Sequence, residues 1–230
     1  MMYAVSGFLF GLLIPYMARR FAKFMPATMA YGLYRLVAPT KKVSRLKRSQ
    51  NGKYQKLVQK YLMRSIGWGV VTGALSAATA VCLASGFYVA LVWILLLLYE
   101  IDERMFLLPD LLTVPLLILG FVYAATLPLG DFVFCSPAFE SAVGAAVGYG
   151  LPVVASLFMV RKHPDAFGGG DIKLLSAVGA WIGFGNVPAL ILISCIVFGV
   201  FCLVKHQRAG AFGPAIVIAT LVLIFLGATL

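Results

Sequence analysis

Acidic residues are scarce in this chain: Asp and Glu together number 8 in 230 residues, against 19 Lys and Arg. Charged residues of both signs make up 12% of the sequence, where a soluble domain carries about 25%. Cysteine is scarcer still. Cys82, Cys135, Cys195 and Cys202 form no C-x-x-C pair, so the sequence offers no zinc or redox motif. A disulfide is open only to Cys135 with Cys82; service as small apolar residues in helix packing is the simpler expectation. The two histidines, His163 and His206, stand among basic residues. Histidine catalysis is therefore disfavoured, and with it a serine protease built on Ser85, Ser136 or Ser141. No glycine-rich nucleotide loop occurs, and no strand-like alternation of the kind a membrane barrel needs.

Apolar residues fill the space these absences leave. They make up 62% of the chain, with a mean hydropathy of +0.97. They gather in runs of about 15 to 22, long enough as helices to cross a hydrocarbon core about 30 Å thick. Spans are expected near Tyr3–Met17, Ile66–Ala84, Gly86–Glu100, Leu108–Leu129, Ser141–Val160, Ile172–Gly183, Val187–Val204 and Phe212–Leu230. The sixth is short. The expected fold is an all-α integral membrane protein of about eight transmembrane helices, with a basic cytoplasmic loop after the first.

Charge orients these spans. If residues 18–65 are cytoplasmic, so are 101–107, 161–171 and 205–211, and all 19 Lys and Arg fall in those segments or at their edges. The opposite loops, near Ser85, Asp131–Glu140 and Asn186, carry none. This is the positive-inside bias, and it sets both termini outward. It also accounts for the net charge of +11 without a nucleic-acid partner. The first run has no basic residue before it and Arg19 and Arg20 after it, so it is expected to stay as a span and not to be cleaved as a signal peptide.

Residues 18–65 hold 13 Lys and Arg, among them Lys41, Lys42, Arg45, Lys47 and Arg48, and no acid. Contact with anionic lipid is the expected role of this loop; a docking surface for an acidic partner is the alternative. Its later part, with Gln55, Leu57, Val58 and Tyr61 among lysines, suits an interfacial amphipathic helix. Two portions follow: residues 1–65, the first helix with its basic loop, and residues 66–230, the remaining helices.

With so few acids, each can be placed. Asp131 and Glu140 read as solvated charges in an outward loop, and Asp165 as a local ion pair within Arg161–Asp165. Glu100, Asp102, Glu103 and Asp110 surround the inner ends of the third and fourth spans, and Asp171 begins the sixth after Gly168, Gly169 and Gly170. Ionisable groups at membrane depth are costly and mark function. Asp102 and Asp171 lie at inner helix ends, where both could reach one site. Two close carboxyl groups share a proton, one taking a proton from water while the other donates to a carbonyl. The glycines could offer exposed backbone to an extended peptide. Equally, Asp171 could simply cap the next helix.

Wider context bears on that choice. Ala166–Leu175, containing Gly168-Gly169-Gly170-Asp171-Ile172-Lys173, followed by Gly179-Ala180-Trp181-Ile182-Gly183, resembles the G-x-G-D segment of the type IV prepilin peptidases. Ile101-Asp102 with Leu107-Leu108-Pro109-Asp110-Leu111-Leu112-Thr113-Val114-Pro115-Leu116 is similar to that family's first aspartate segment, and Phe212-Gly213-Pro214 to its F-G-P near the C-terminus. The matches keep the family's order over residues 100 to 215. The resemblance implies a G-x-G-D-type intramembrane aspartic protease of the inner membrane. It would cut the basic leader from type IV prepilins or type II secretion pseudopilins at the cytoplasmic face. It implies Asp102 and Asp171 as the catalytic pair. Gly168, Gly169, Gly170, Lys173 and Asp110 would shape the site or bind substrate. Asp110 competes with Asp102, but its place after Pro109 suits an N-cap. Lys173 could tune Asp171 or face lipid headgroups.

One departure concerns a second activity. Many bacterial members carry two C-x-x-C pairs in the first cytoplasmic loop and also N-methylate the new pilin terminus from S-adenosylmethionine. Residues 18–65 hold no cysteine, so structural zinc is not expected and methylation stays open. Proteolysis itself calls for no cofactor. Two other classes remain. A transporter would explain buried acids and a helix broken at Gly168–Gly170, although the acids sit at helix ends and no two-half symmetry appears. A non-catalytic pilus or secretion assembly subunit is the other.

Overall fold

A computed structural model describes residues 1–23, 52–128, 136–159, 168–206 and 210–227. Among them lie eight α-helices: α1 Met2–Lys23, α2 Gly52–Cys82, α3 Gly86–Met105, α4 Asp110–Thr126, α5 Pro137–Met159, α6 Gly169–Ile182, α7 Val187–Val204 and α8 Gly213–Gly227, with a short 3₁₀ turn at Phe184–Asn186. The protein is an all-α membrane protein, as its composition requires. Four stretches are long and apolar enough to cross a membrane by length and composition: Met2–Phe21, Val58–Cys82, Pro137–Leu157 and Phe184–Val204; α4 and α8 are shorter apolar helices. The basic cluster Lys41–Arg48, and Asp131, Cys135, His163, Asp165 and Arg208, lie outside the described residues.

The chain forms two compact units, Met1–Ala84 and Ser85–Leu230. In the first, α1 and α2 pack through small residues. A Cβ on Gly11 would stand 2.5 Å from the Trp68 carbonyl oxygen, and one on Gly7 within 2.9 Å of the Thr72 carbonyl oxygen. Between apolar helices in lipid, such close backbone approach is a main source of attraction. Ser76 donates to the Thr72 carbonyl at 2.7 Å, so its hydroxyl is satisfied inside the pair. α2 begins earlier than the expected span at Ile66. The amphipathic stretch expected around Tyr61 is thus continuous with the span behind it. At the charged end of this pair, the Arg19 guanidinium covers the Tyr61 ring, 3.1 Å from its centroid.

The second unit is built around α6. At 14 residues it rises roughly 21 Å, short of a full crossing. From Leu174 to Trp181 every residue is buried, the pattern of a helix apolar all round and enclosed by others. Gly144 of α5 and Gly179 of α6 touch so closely that a Cβ on either would collide with the other's carbonyl oxygen. Ser176 donates to the Ala145 carbonyl at 2.9 Å and Ser141 to that of Ala180 at 2.7 Å. On the opposite side, the Trp181 indole N–H reaches the Leu116 carbonyl of α4 at 2.9 Å. With these bonds α6 is held between α4 and α5, and its N-terminal residues are fixed in turn. Cys82, Cys195 and Cys202 are free thiols.

Candidate active site

Asp102 sits in the last turn of α3, beyond the apolar stretch that closes at Glu100. Its side chain is 4% exposed, and its Oδ2 accepts the backbone N–H of Gly213 at 2.9 Å. That bond comes from the first residue of α8, where a helix leaves its leading N–H groups without internal partners. A Cβ on Gly213 would lie 2.6 Å from the same oxygen, so only glycine lets α8 begin against this carboxyl. Burial holds the Asp102 carboxyl above the usual range, and the Gly213 N–H partly offsets it. Sequence reasoning did not assign Gly213 to the site. The Phe212-Gly213-Pro214 triplet was the available signal, read as a family mark without a physical role.

Asp171 is the third residue of α6, ahead of the apolar span that starts at Ile172. Gly168 occupies the N-cap position, and the Asp171 carboxylate takes a backbone hydrogen bond from it. This is half of a capping box, in which the third helical side chain reaches back to the N-cap N–H. The capping alternative is therefore present, shifted three residues from the true cap, and it coexists with a second relation. The Asp171 carboxyl is pushed up to about 7, first by burial and then by the nearby Asp102 carboxylate, against the lowering bond from Gly168. Asp171 thus feels the charge of an acid 69 positions away in sequence.

The three glycines before Asp171 differ in their surroundings. A Cβ on Gly170 would stand 2.9 Å from the Leu108 Cβ, one on Gly168 would stand 2.9 Å from Asp171 Oδ2, and one on Gly169 would meet nothing within 4 Å. Leu108 belongs to the link after α3, which ends in a left-handed Phe106 at φ 54°, its N–H bonded to the Asp102 carbonyl. Leu108, in the link after this reversal, lies against Gly170, so the α3–α4 link meets the start of α6 beside Asp171.

Asp110 stands apart from the pair. Its carboxylate grips Lys173 Nζ with both oxygens at 2.7 Å, and the two side chains are 52% and 47% exposed. The expected N-cap role is corrected here. Pro109 is the N-cap of α4, and Asp110, one position on, has its side chain drawn to Lys173 instead. Lys173 accordingly faces Asp110. Glu100 is fully buried and accepts Arg104 Nε at 2.7 Å one turn on.

A helical membrane protein with two interacting carboxyl groups at helix ends defines the class; comparison with known proteins defines the family. The profile of the type IV leader peptidase family matches residues 89–203. The chain belongs to that family. Among similar proteins is a prepilin leader peptidase/N-methyltransferase of Aeromonas hydrophila, 36% identical over 164 residues, covering 65% of this chain and 54% of that one. Proteins of the same name from Xanthomonas campestris pv. campestris and Escherichia coli (strain K12) are both 41% identical, over 135 and 103 residues. These cover 55% and 44% of this chain, and 45% and 43% of theirs. The chain spans about half the length of the curated relatives it matches. No solved structure matches it. The profile takes in Asp102, Asp110 and Asp171, while Gly213 lies beyond its end.

Proposed function

We propose that this chain is a prepilin leader peptidase of the inner membrane. It cuts the leader from prepilins or pseudopilins at the cytoplasmic face, with Asp102 and Asp171 as its catalytic pair. Residues 66–230 would form the peptidase portion, and residues 1–65 an accessory portion whose basic loop meets anionic lipid. The observation that carries this reading is that the charge of buried Asp102, at the end of α3, acts on the half-buried Asp171 carboxyl at the start of α6.

The environments divide the roles. Burial raises both carboxyl groups and each accepts a backbone N–H, but Asp171 is raised further by the Asp102 charge and holds its proton to about pH 7, so Asp102 is the member that ionises first. Ionised Asp102 then takes a proton from water as the oxygen attacks the peptide carbonyl. Protonated Asp171 donates to the carbonyl oxygen, giving a neutral tetrahedral diol. On collapse the C–N bond breaks, the diol returns a proton to Asp171, and Asp102 passes its proton to the leaving amine. Both carboxyl groups end as they began. Gly169, with open space above it, supports an extended substrate lying along Gly168–Gly170. The Lys173–Asp110 pair braces the start of α6 against that of α4.

The relatives' names also carry N-methyltransferase activity, which favours methyl transfer from S-adenosylmethionine as a second activity. Residues 24–51 of the loop to which that role would fall lie outside the described residues, and no described residue is assigned to it. Coexpression with a prepilin, read by N-terminal sequence and mass, tests both activities. Leader removal by the wild-type chain is expected, and its loss at equal abundance in Asp102→Asn and in Asp171→Asn. Substantial turnover by either purified variant sinks the pair assignment. A transporter or an assembly subunit would leave the leader in place throughout.

A further inference from the structure

A cleft of about 470 Å³ opens between α3, α7 and the start of α8. Its walls include Tyr99 and Glu103 from α3 with Phe106 just past its end, and Phe201 and Cys202 from α7 with Lys205 just past its end. Tyr99 and Glu103, four residues apart on α3, share a helix face. Asp102 lies at the margin of that face. Pro214, which also lines the cleft, follows the glycine whose N–H holds Asp102. The cleft thus adjoins the acid site through Glu103 and Pro214, the chain neighbours of Asp102 and Gly213, while neither acid lines it. Tyr99, Phe106 and Phe201 bring aromatic rings to its walls, and Lys205 and Glu103 add a loose ion pair at 3.5 Å, with both side chains partly in solvent.

We propose that this cleft is a peptide subsite. It seats large apolar side chains of the substrate segment flanking the scissile bond, with Glu103 and Lys205 as its rim. The proposal rests on the peptidase reading. A peptide cut beside Asp102 has to continue along some wall of the second unit, and this wall begins one residue from Asp102 and one from Gly213. Its volume falls in the range of sites that enclose a ligand, about 300 to 1,000 Å³. Its aromatic rings suit large apolar side chains, and one methylene against such a wall changes selectivity about 10- to 200-fold. A lipid chain would gain nothing from adjacency to the acids.

Cys202 offers a handle within the cleft. In protein with Cys82, Cys135 and Cys195 changed to Ser, maleimide attached to Cys202 should fill the space. The KM for a prepilin should rise about tenfold while kcat stays within about twofold, the signature of lost uniform binding. A shortened peptide ending just past the scissile bond should be cut unchanged. A KM that does not move, or an equal rise for the short peptide, overturns the subsite. A measurement independent of turnover uses the same background with Asp171→Asn and prepilins bearing single cysteines. Disulfides to Cys202 should form only from positions close after the scissile bond. Even cross-linking along the prepilin, or none, again overturns it, as does blocking of Cys202 by added lipid but not by prepilin, which would make the cleft an acyl-chain site. The two readings separate cleanly. Localised cross-linking without any cleavage by the unmodified chain refutes the peptidase reading and leaves the cleft. Cleavage without cross-linking refutes the cleft and leaves the peptidase.

Discussion

Replacing Asp102 by Asn should lower the pH at which Asp171 gives up its proton. Asp171 is pushed from 3.8 to about 7 by burial first and by the Asp102 charge second. That rise corresponds to roughly 4 kcal/mol disfavouring the ionised form. The Asn keeps an oxygen for the Gly213 N–H and removes only the charge. Asp171 should then titrate below 7 yet above 3.8, because burial, the larger cause, persists. The sign for stability follows from linkage. The folded value lies above the unfolded one, so this contribution is fully present below 3.8 and is lost as pH rises through about 7. Wild-type protein should therefore melt at lower temperature at pH 8 than at pH 5.5, and Asp102→Asn should narrow that gap. Infrared difference spectra with labelled aspartate follow the Asp171 carboxyl directly; melting curves in detergent follow the consequence. An Asp171 transition that stays at about 7 in the variant would refute the coupling, and the shared-proton mechanism with it.

The other expectations are briefer. Activity should fall on the alkaline side near pH 7 as Asp171 deprotonates, and a flat profile from pH 6 to 9 would contradict its role as acid. Gly213→Ala should lower kcat by about 100-fold, because its Cβ forces the Asp102 carboxyl aside and small misplacements of this kind carry that cost; near-normal kcat would remove Gly213 from the site. Gly169→Ala should retain most activity and Gly170→Ala should not, since only the latter meets Leu108, a contrast that leader-cleavage assays at matched abundance resolve. Asp110→Asn should cost less than about 1 kcal/mol of stability, as its partner Lys173 is half in solvent, and a melting shift larger than this would give the pair a greater role. Reporters fused near Arg48, His163 and Arg208 should read as cytoplasmic and those near Cys135 and Leu230 as external; an external signal at His163 would overturn the topology.

The membrane character, the helical class and the two acid segments were legible in the chain itself. Hydrocarbon leaves a single helical segment no other way to satisfy its backbone, so apolar runs dictate helices whatever their neighbours. Scarcity made the acids conspicuous, since eight carboxyl groups can be weighed one by one. What sequence could not supply was contact between distant segments. That Asp171 feels Asp102, that Gly213 opens α8 directly against the Asp102 carboxyl, and that Asp110 turns to Lys173 and away from its own helix all depend on how α3, α4, α6 and α8 meet. Local propensity favoured Asp110 as a cap, and a charge 63 residues away won the side chain. The buried course of α6 is likewise tertiary. Its 14 residues look like a short span, and only the glycine contact with α5 and the Trp181 bond to α4 make it the enclosed element that carries Asp171. Periodicity and composition act through solvent and are written locally, whereas the pairing of two carboxyl groups needs packed neighbours that no single segment specifies.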